Sequence, residues 1–165
     1  MITTKQLKAL AGLQKLVKRP LTIDLFQSGH IYITTPQYSV RIKTSAHIPV
    51  DTAIPLTEVQ KLGELLSIEP STEGNIIING VYKTPHIEPR YKEYNYPRIF
   101  DQERLDIPSN YDAEIPYVIS KIAKVYCESK YFHIQQNGEH PGVIDLTDEV
   151  RIIVAPVRVP EVAKV

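Results

Sequence analysis

The sequence predicts an α+β protein built from a repeated unit, a short amphipathic helix followed by antiparallel strands, and two observations predict it. Leu7, Leu10 and Leu13 recur as Val59, Leu62 and Leu65 and again as Ile119, Ile122 and Val125, displaced by 52 and then by 60 residues. After each of these stripes come short runs rich in Ile, Val and Tyr, the residues that suit a pleated, half-buried surface. A weak repeat of this length marks a unit that cannot bury its own apolar face and must be covered by its neighbours.

The elements follow in order. Thr4 is the expected cap of a first helix that runs on to the residues before Pro20, since a residue preceding proline is pushed out of the α region. Leu21 to Phe26 alternates as a strand, Gln27-Ser28-Gly29 turns, and His30 to Thr34 returns as the hairpin partner. Ser39 to Thr44 supplies a third strand, with Val40 and Ile42 on one face and Arg41 and Lys43 on the other. The second unit opens with Ala53-Ile54-Pro55 and a helix from Thr57 to about Leu66, with Val59, Leu62, Leu65 and Leu66 inward and Gln60, Lys61 and Glu64 outward. Asn79-Gly80 then marks a hairpin between Gly74 to Asn79 and Val81 to Thr84. In the third unit Pro116 fixes a helix start near Ile115, with Ile119, Ile122, Val125 and Tyr126 inward. Tyr131 to Gln135, Val143 to Leu146 and Val150 to Val159 are expected as its strands. Residues 1–100 are therefore expected to form one domain of two units, and residues 101–165 a third, half-domain unit.

Composition sets the limits. A chain of 165 residues with 42% hydrophobic content can bury an ordinary core. No apolar stretch has the length of a membrane span, and Met1-Ile2-Thr3-Thr4-Lys5 lacks the apolar core of a signal peptide. The single cysteine, Cys127, rules out an internal disulfide framework and makes a cytoplasmic setting the expectation.

Nineteen basic and nineteen acidic residues cancel, so distribution has to carry any electrostatic argument. From Met1 to Leu21 stand Lys5, Lys8, Lys15, Lys18 and Arg19 with no acidic residue. On a helix, Lys5, Lys8, Lys15 and Arg19 fall on one stripe opposite Leu7, Leu10, Leu13 and Val17. Lysine on an amphipathic helix is often no more than its solvated side. Here the Glu partners that would give i,i+4 pairs are missing, which favours a face offered to an anion.

Enzymatic chemistry has little to stand on. His30, His47, His86, His133 and His140 are scattered, without the i,i+4 helical spacing or CxxC pair that would hold a metal, and His133 with His140 is the one pair that a hairpin could bring together. Cys127 has no Cys/His/Asn pattern around it and reads as a small buried hydrophobe. No phosphate-binding glycine loop or nucleophile elbow occurs. The expectation is a protein without catalytic residues, metal or cofactor. A different binding surface is also visible: Tyr82, Tyr91, Tyr94 and Tyr96 lie beside Lys83, Arg90, Lys92 and Arg98, an arrangement able to stack single-stranded nucleic acid, although Glu88 and Glu93 interrupt it.

One family resemblance emerges from these residues. Thr52-Ala53-Ile54-Pro55-Leu56-Thr57-Glu58-Val59-Gln60-Lys61-Leu62, followed by the Asn-Gly hairpin and by Tyr94-Asn95-Tyr96-Pro97, resembles the second half of a bacterial DNA-polymerase sliding-clamp domain. Arg151 to Val159 is similar to the C-terminal strand of those clamps, with Ala155 in place of the usual Met. The resemblance implies βαβββ modules with helices on one face of antiparallel sheets, twelve to a ring around duplex DNA, and a non-catalytic processivity factor that tethers a DNA polymerase. It implies sequence-independent phosphate contacts for Lys5, Lys8, Lys15, Lys18, Arg19, Lys61, Lys121 and Lys124. It also implies a partner-binding role for Pro156, Val157, Arg158 and Val159. Three modules per chain would make the ring a homotetramer, an unusually short clamp of the phage or plasmid type. Thr34-Thr35-Pro36-Gln37 departs from the family, which often carries Asp after the Thr. The alternative implied by the tyrosine cluster is a single-strand-binding or clamp-like accessory protein acting as a monomer or small oligomer.

Overall fold

The computed structural model describes residues 1–93, 100, 107–127 and 132–157. The first helix, α1 (Thr4–Gly12), is capped by Thr3 rather than by Thr4. The Thr3 side chain accepts from the Gln6 N–H and the Gln6 side chain accepts from the Thr3 N–H, a reciprocal capping box. Nor does α1 continue to Pro20: it tightens at Leu13–Leu16 into a 3-10 turn and leaves helical geometry at Val17. Gln14 explains that exit. Its amide donates to the carbonyls of Val17 at 3.1 Å and Arg19 at 2.9 Å, and its oxygen accepts from the Leu21 N–H at 2.7 Å. One side chain thus satisfies backbone groups that a longer helix would have satisfied itself.

Strands β1 (Thr22–Leu25), β2 (His30–Thr34) and β3 (Tyr38–Lys43) form the expected meander, and β4 (Thr52–Pro55) pairs with β1. Helix α2 (Leu56–Val59) is one turn, far shorter than the expected Thr57 to Leu66. Val59, Leu62 and Leu65 are buried as the spacing requires, but Leu66 is exposed. A second sheet follows, β5 (Ile68–Pro70), β6 (Asn75–Ile78) and β7 (Tyr82–Pro85), in that order. Asn79 at φ 54° and Gly80 at φ 73° make the turn between β6 and β7, and Val81 N–H closes it on the Ile78 carbonyl at 3.1 Å.

The third helix, α3 (Ile115–Tyr126), begins with Pro116 in its first turn, as expected, and buries Ile115, Val118, Ile119, Ile122 and Ala123. Val125 and Tyr126 are half-buried. Of the expected Tyr131 to Gln135 strand, Tyr131 lies outside the described residues, and Gln135 forms a single bridge with Val143. Strands β8 (Gly142–Thr147) and β9 (Val150–Val154) complete the described elements, and β9 ends at Val154, short of the expected Val159.

The larger sheet runs β4-β1-β2-β3-β9-β8. Its central event is the antiparallel pairing of β3 with β9, from Tyr38 opposite Val154 to Ile42 opposite Val150, which joins the first unit to the third. Alternation on these strands sends Ile23, Leu25, Ile31, Ile33, Val40, Ile42, Ile144, Ile152 and Val154 into one core beneath the helices, together with Leu7, Leu10, Leu13, Ile119 and Ile122. Helix α1 contacts both α2 and α3 across that core. The opposite sheet face carries its own small cluster of Phe26, Tyr32, Phe100, Val143 and Ile153. After β7, the chain turns along the β4 edge: Ala53 N–H donates to the Ile87 carbonyl at 2.8 Å and the His86 ring Nε2 meets the Asp51 carbonyl at 3.0 Å.

Candidate nucleic-acid interface

Lys5 and Lys8 project from α1 and Lys15 from the 3-10 turn, all exposed, and Lys18 is exposed just beyond. On α3, Lys121 and Lys124 are exposed as well. Because α1 and α3 are packed together on one side of the sheet, their outward faces form a common helical surface. Among the described residues none of these six lysines makes an ion pair. Lys121 Nζ instead lies 5.1 Å from the centroid of the Tyr117 ring, a cation–π contact that leaves its charge uncompensated. No acidic residue occupies the first turn of α1 or of α3.

Lys61 behaves differently. Its Nζ bonds both Glu58 carboxylate oxygens, at 2.8 and 3.0 Å, and the Tyr82 hydroxyl donates to the same carboxylate. The Lys61 hydrogen bond, then that of Tyr82, holds the Glu58 carboxyl below its ordinary range, and Glu58 raises Lys61 in return. Of all the lysines expected to contact DNA, Lys61 is therefore the one whose charge is already answered. Arg19 is also set apart. The end of helical geometry at Val17 takes it out of the α1 stripe, and it lines a cleft with Thr22 and Asp24, which alternate with the core-facing Ile23 and Leu25 and so point to the other side of the sheet.

Pro156 and Val157 follow β9 and are fixed by two backbone bonds, Ala155 N–H to the Gln37 carbonyl at 2.8 Å and Val157 N–H to the Asn110 carbonyl at 2.7 Å. Val157 is exposed. Nearby, Leu16, Val17, Lys18, Gln37, Tyr38, Asp112, Glu114 and Ile115 line a cleft of about 210 Å³ between the 3-10 turn and the start of α3. The buried Tyr38 hydroxyl has no partner there, and burial, with the Glu114 charge, pushes it up to about 12. Nothing in the local sequence identified this cleft, because its walls come from three separated segments. Arg158 and Val159 lie outside the described residues, as do Tyr94 to Pro97.

Other candidate groups are dispersed. His133 and His140 are both exposed, and among the described residues no three His, Cys, Asp or Glu side chains converge as a metal site. Cys127 is half-buried and its thiol donates to the Ala123 carbonyl at 3.3 Å. The tyrosine cluster divides: Tyr82 is committed to Glu58, while Tyr91 pairs with Arg90, whose guanidinium sits 5.4 Å from the ring centroid. No helix among the described residues is long and apolar enough to cross a membrane.

No family model and no curated protein matches the sequence. Solved structures do match. The DNA polymerase III beta chain of Streptococcus pneumoniae TIGR4 aligns at TM-score 0.56 and 11% identity, over 96% of this chain and 64% of that one. The beta subunit from Borrelia burgdorferi, solved with a natural product, aligns at 0.58 and 13%, over 96% and 62%, and that from Pseudomonas aeruginosa at 0.51 and 12%, over 98% and 64%. The fold is clamp-like. At these identities the likeness concerns architecture alone, and the matches span less than two thirds of the neighbours' length. Within the clamp-like fold, Lys5, Lys8, Lys15, Lys121 and Lys124 lie on its helical layer, Lys18 lies past the end of the 3-10 turn beside the Tyr38 cleft, and the Arg19 cleft lies on the opposite sheet face.

Proposed function

We propose that the protein is a non-catalytic, clamp-like processivity factor that holds duplex DNA against its helical face and tethers a DNA polymerase or another replication protein. The observation that carries this reading is the set of lysines without carboxylate partners, Lys5, Lys8, Lys15, Lys121 and Lys124, on the outward side of the helices of a clamp-like fold, with Lys18 exposed just beyond the 3-10 turn. Side chains of this kind hold phosphate oxygens without reading base edges, so they suit a protein that must move along DNA. Lys61 and Arg19 contribute less, one because Glu58 neutralises it and the other because it faces away. Pro156 and Val157, with Arg158 and Val159 beyond them, form the partner-binding segment, and the adjoining cleft at Val17 and Tyr38 receives an apolar side chain of the partner.

Residues 1–100 supply two modules and residues 101–165 a third, with the β3–β9 pairing holding them in one sheet. Four such chains close a twelve-module ring; the short phage or plasmid type of clamp belongs to the same proposal and rests on three modules per chain. Retention on a circular duplex tests the DNA face. Reversal of Lys5, Lys8 and Lys121 to Glu abolishes it while leaving the fold intact, and the unaltered protein binds unrelated sequences equally with a log–log salt slope of about −0.9 per phosphate contacted. Unchanged binding by the reversed variant overturns the proposal.

A further inference from the structure

We propose, resting on the reading of the helical layer as the DNA face, that Glu58 is an anion built into that face: it occupies the Lys61 ammonium in place of a phosphate and so limits how tightly the protein grips duplex DNA. Lys61 belongs to the layer by its surroundings. It follows α2, which packs against α1, and the chain just beyond it is tied to the start of α1, with the Thr4 hydroxyl donating to the Gly63 carbonyl and the Ile2 N–H to the Leu65 carbonyl at 3.0 Å. Lys5 and Lys8 project from that same end of α1. Lys61 is their neighbour in place but not in state. Its Nζ is held by both Glu58 oxygens, and Tyr82, reaching over from β7, gives the carboxylate a further donor.

The pair is an equilibrium that DNA can contest. The side chains of Lys61 and Glu58 are 59% and 28% exposed, and an ion pair so open to water contributes little to stability. A phosphate that reaches Lys61 must nevertheless break two charge-assisted hydrogen bonds and then lie beside the carboxylate it displaced. Tyr82 sharpens the competition, because its hydroxyl fixes the carboxylate next to the ammonium and, after the Lys61 bond, helps to hold it ionised. Glu58→Gln keeps the shape of the side chain and loses both effects. Lys61 then joins Lys5 and Lys8 as a phosphate contact, and each such contact makes affinity fall more steeply with salt. Glu58 thus favours mobility over grip: a protein carried along DNA must break its contacts at every step, and one cation answered from within is one fewer to release.

Duplex binding by the full chain, followed as fluorescence anisotropy of a labelled hairpin between about 50 and 200 mM salt, tests this. Glu58→Gln should bind more tightly than the parent at the low end, with a log–log salt slope steeper by about 0.9, so that its advantage shrinks roughly threefold by the high end. Adding Lys61→Met to Glu58→Gln should return the slope to that of the parent, since the released ammonium is gone. Glu64→Gln removes an exposed carboxylate of the same segment and should leave the slope unchanged. Thermal unfolding at neutral pH confirms that each variant is folded under the binding conditions. A parental slope and affinity in Glu58→Gln, or a steepening that survives Lys61→Met or that Glu64→Gln reproduces, overturns the role of Glu58. Unchanged binding on reversal of Lys5, Lys8 and Lys121 to Glu is a different result, and it overturns the DNA face itself.

Discussion

At Gly142, the first residue of β8, an added Cβ would meet the Tyr111 hydroxyl and lie 3.1 Å from its ring carbon and 3.2 Å from an Ile134 methyl. All three atoms belong to side chains packed against the core, Tyr111 and Ile134, so Gly142→Ala is expected to destabilise the fold by about 1–3 kcal/mol, the usual cost of overpacking, read by urea denaturation. Glu58 makes a pH-dependent prediction. Its carboxyl is held below the ordinary glutamate value of 4.5 by Lys61 and Tyr82, so the stability it contributes is present above that value and is lost as pH falls through the lowered one. Glu58→Gln should therefore flatten the part of the stability–pH curve below about pH 4.5, measured by thermal unfolding, because the variant is less stable than the parent near neutrality and the two curves converge in acid. An unchanged acid limb would mean that the Glu58 cluster is not closed in solution. Sequence alone shows half of this cluster, since Glu58 and Lys61 are three apart, but Tyr82 arrives from another sheet and is invisible without the fold.

At the scale of elements, α1 depends on its first turn. Thr3→Ala removes the side-chain acceptor for the Gln6 N–H and should cost roughly 1 kcal/mol in urea unfolding. Thr3→Ser, which keeps the acceptor, should recover most of it. The apolar stripe of this helix was legible because Leu7, Leu10 and Leu13 recur at helical spacing, and Leu7, Leu10 and Leu13 are indeed buried. Its length was not legible. Periodicity continued past Gly12, while the competing bonds made by Gln14 depend on where Val17, Arg19 and Leu21 come to rest. The same cause moved Arg19 away from the lysine stripe. In α2, apolar spacing predicted which residues face inward up to Leu65, although the helix itself ends at Val59: burial obeyed the pattern while the backbone did not. The candidate DNA face could be read from missing acidic partners at Lys5, Lys8 and Lys15, a local property, whereas the cleft beside Tyr38 and the outer-face cleft join segments far apart in the chain.

For the whole molecule, the decisive quantity is the mass of the assembly. Closure of sheet edges between copies would remove unpaired N–H and C=O groups that otherwise invite aggregation, and a twelve-module ring needs four chains. Sedimentation equilibrium at micromolar concentration should give four times the 18.8 kDa chain. A strict monomer would leave the DNA face and the partner cleft standing but would remove the topological link to DNA, and retention on circular duplex should then fall to that of an ordinary salt-sensitive binder. The α+β class and the meander of β1 to β3 were legible because they rest on neighbouring residues. The pairing of β3 with β9 was not, since no local signal says which distant strand completes a sheet.

That pairing also orders events during synthesis. Strands β1, β2 and β3 leave the ribosome early, but β3 waits for Val150 to Val154, more than a hundred residues later, before its second edge is covered. At elongation rates of about 5–20 residues per second, the delay is on the order of ten seconds. Throughout it Tyr38 to Ile42, apolar on the face of Tyr38, Val40 and Ile42, presents a strand-shaped template to any similar chain on the same message. Crowded polysomes are therefore where this protein is most exposed to mispairing, and its yield in cells should respond to translation rate and to chaperone supply more than to the stability of the finished fold.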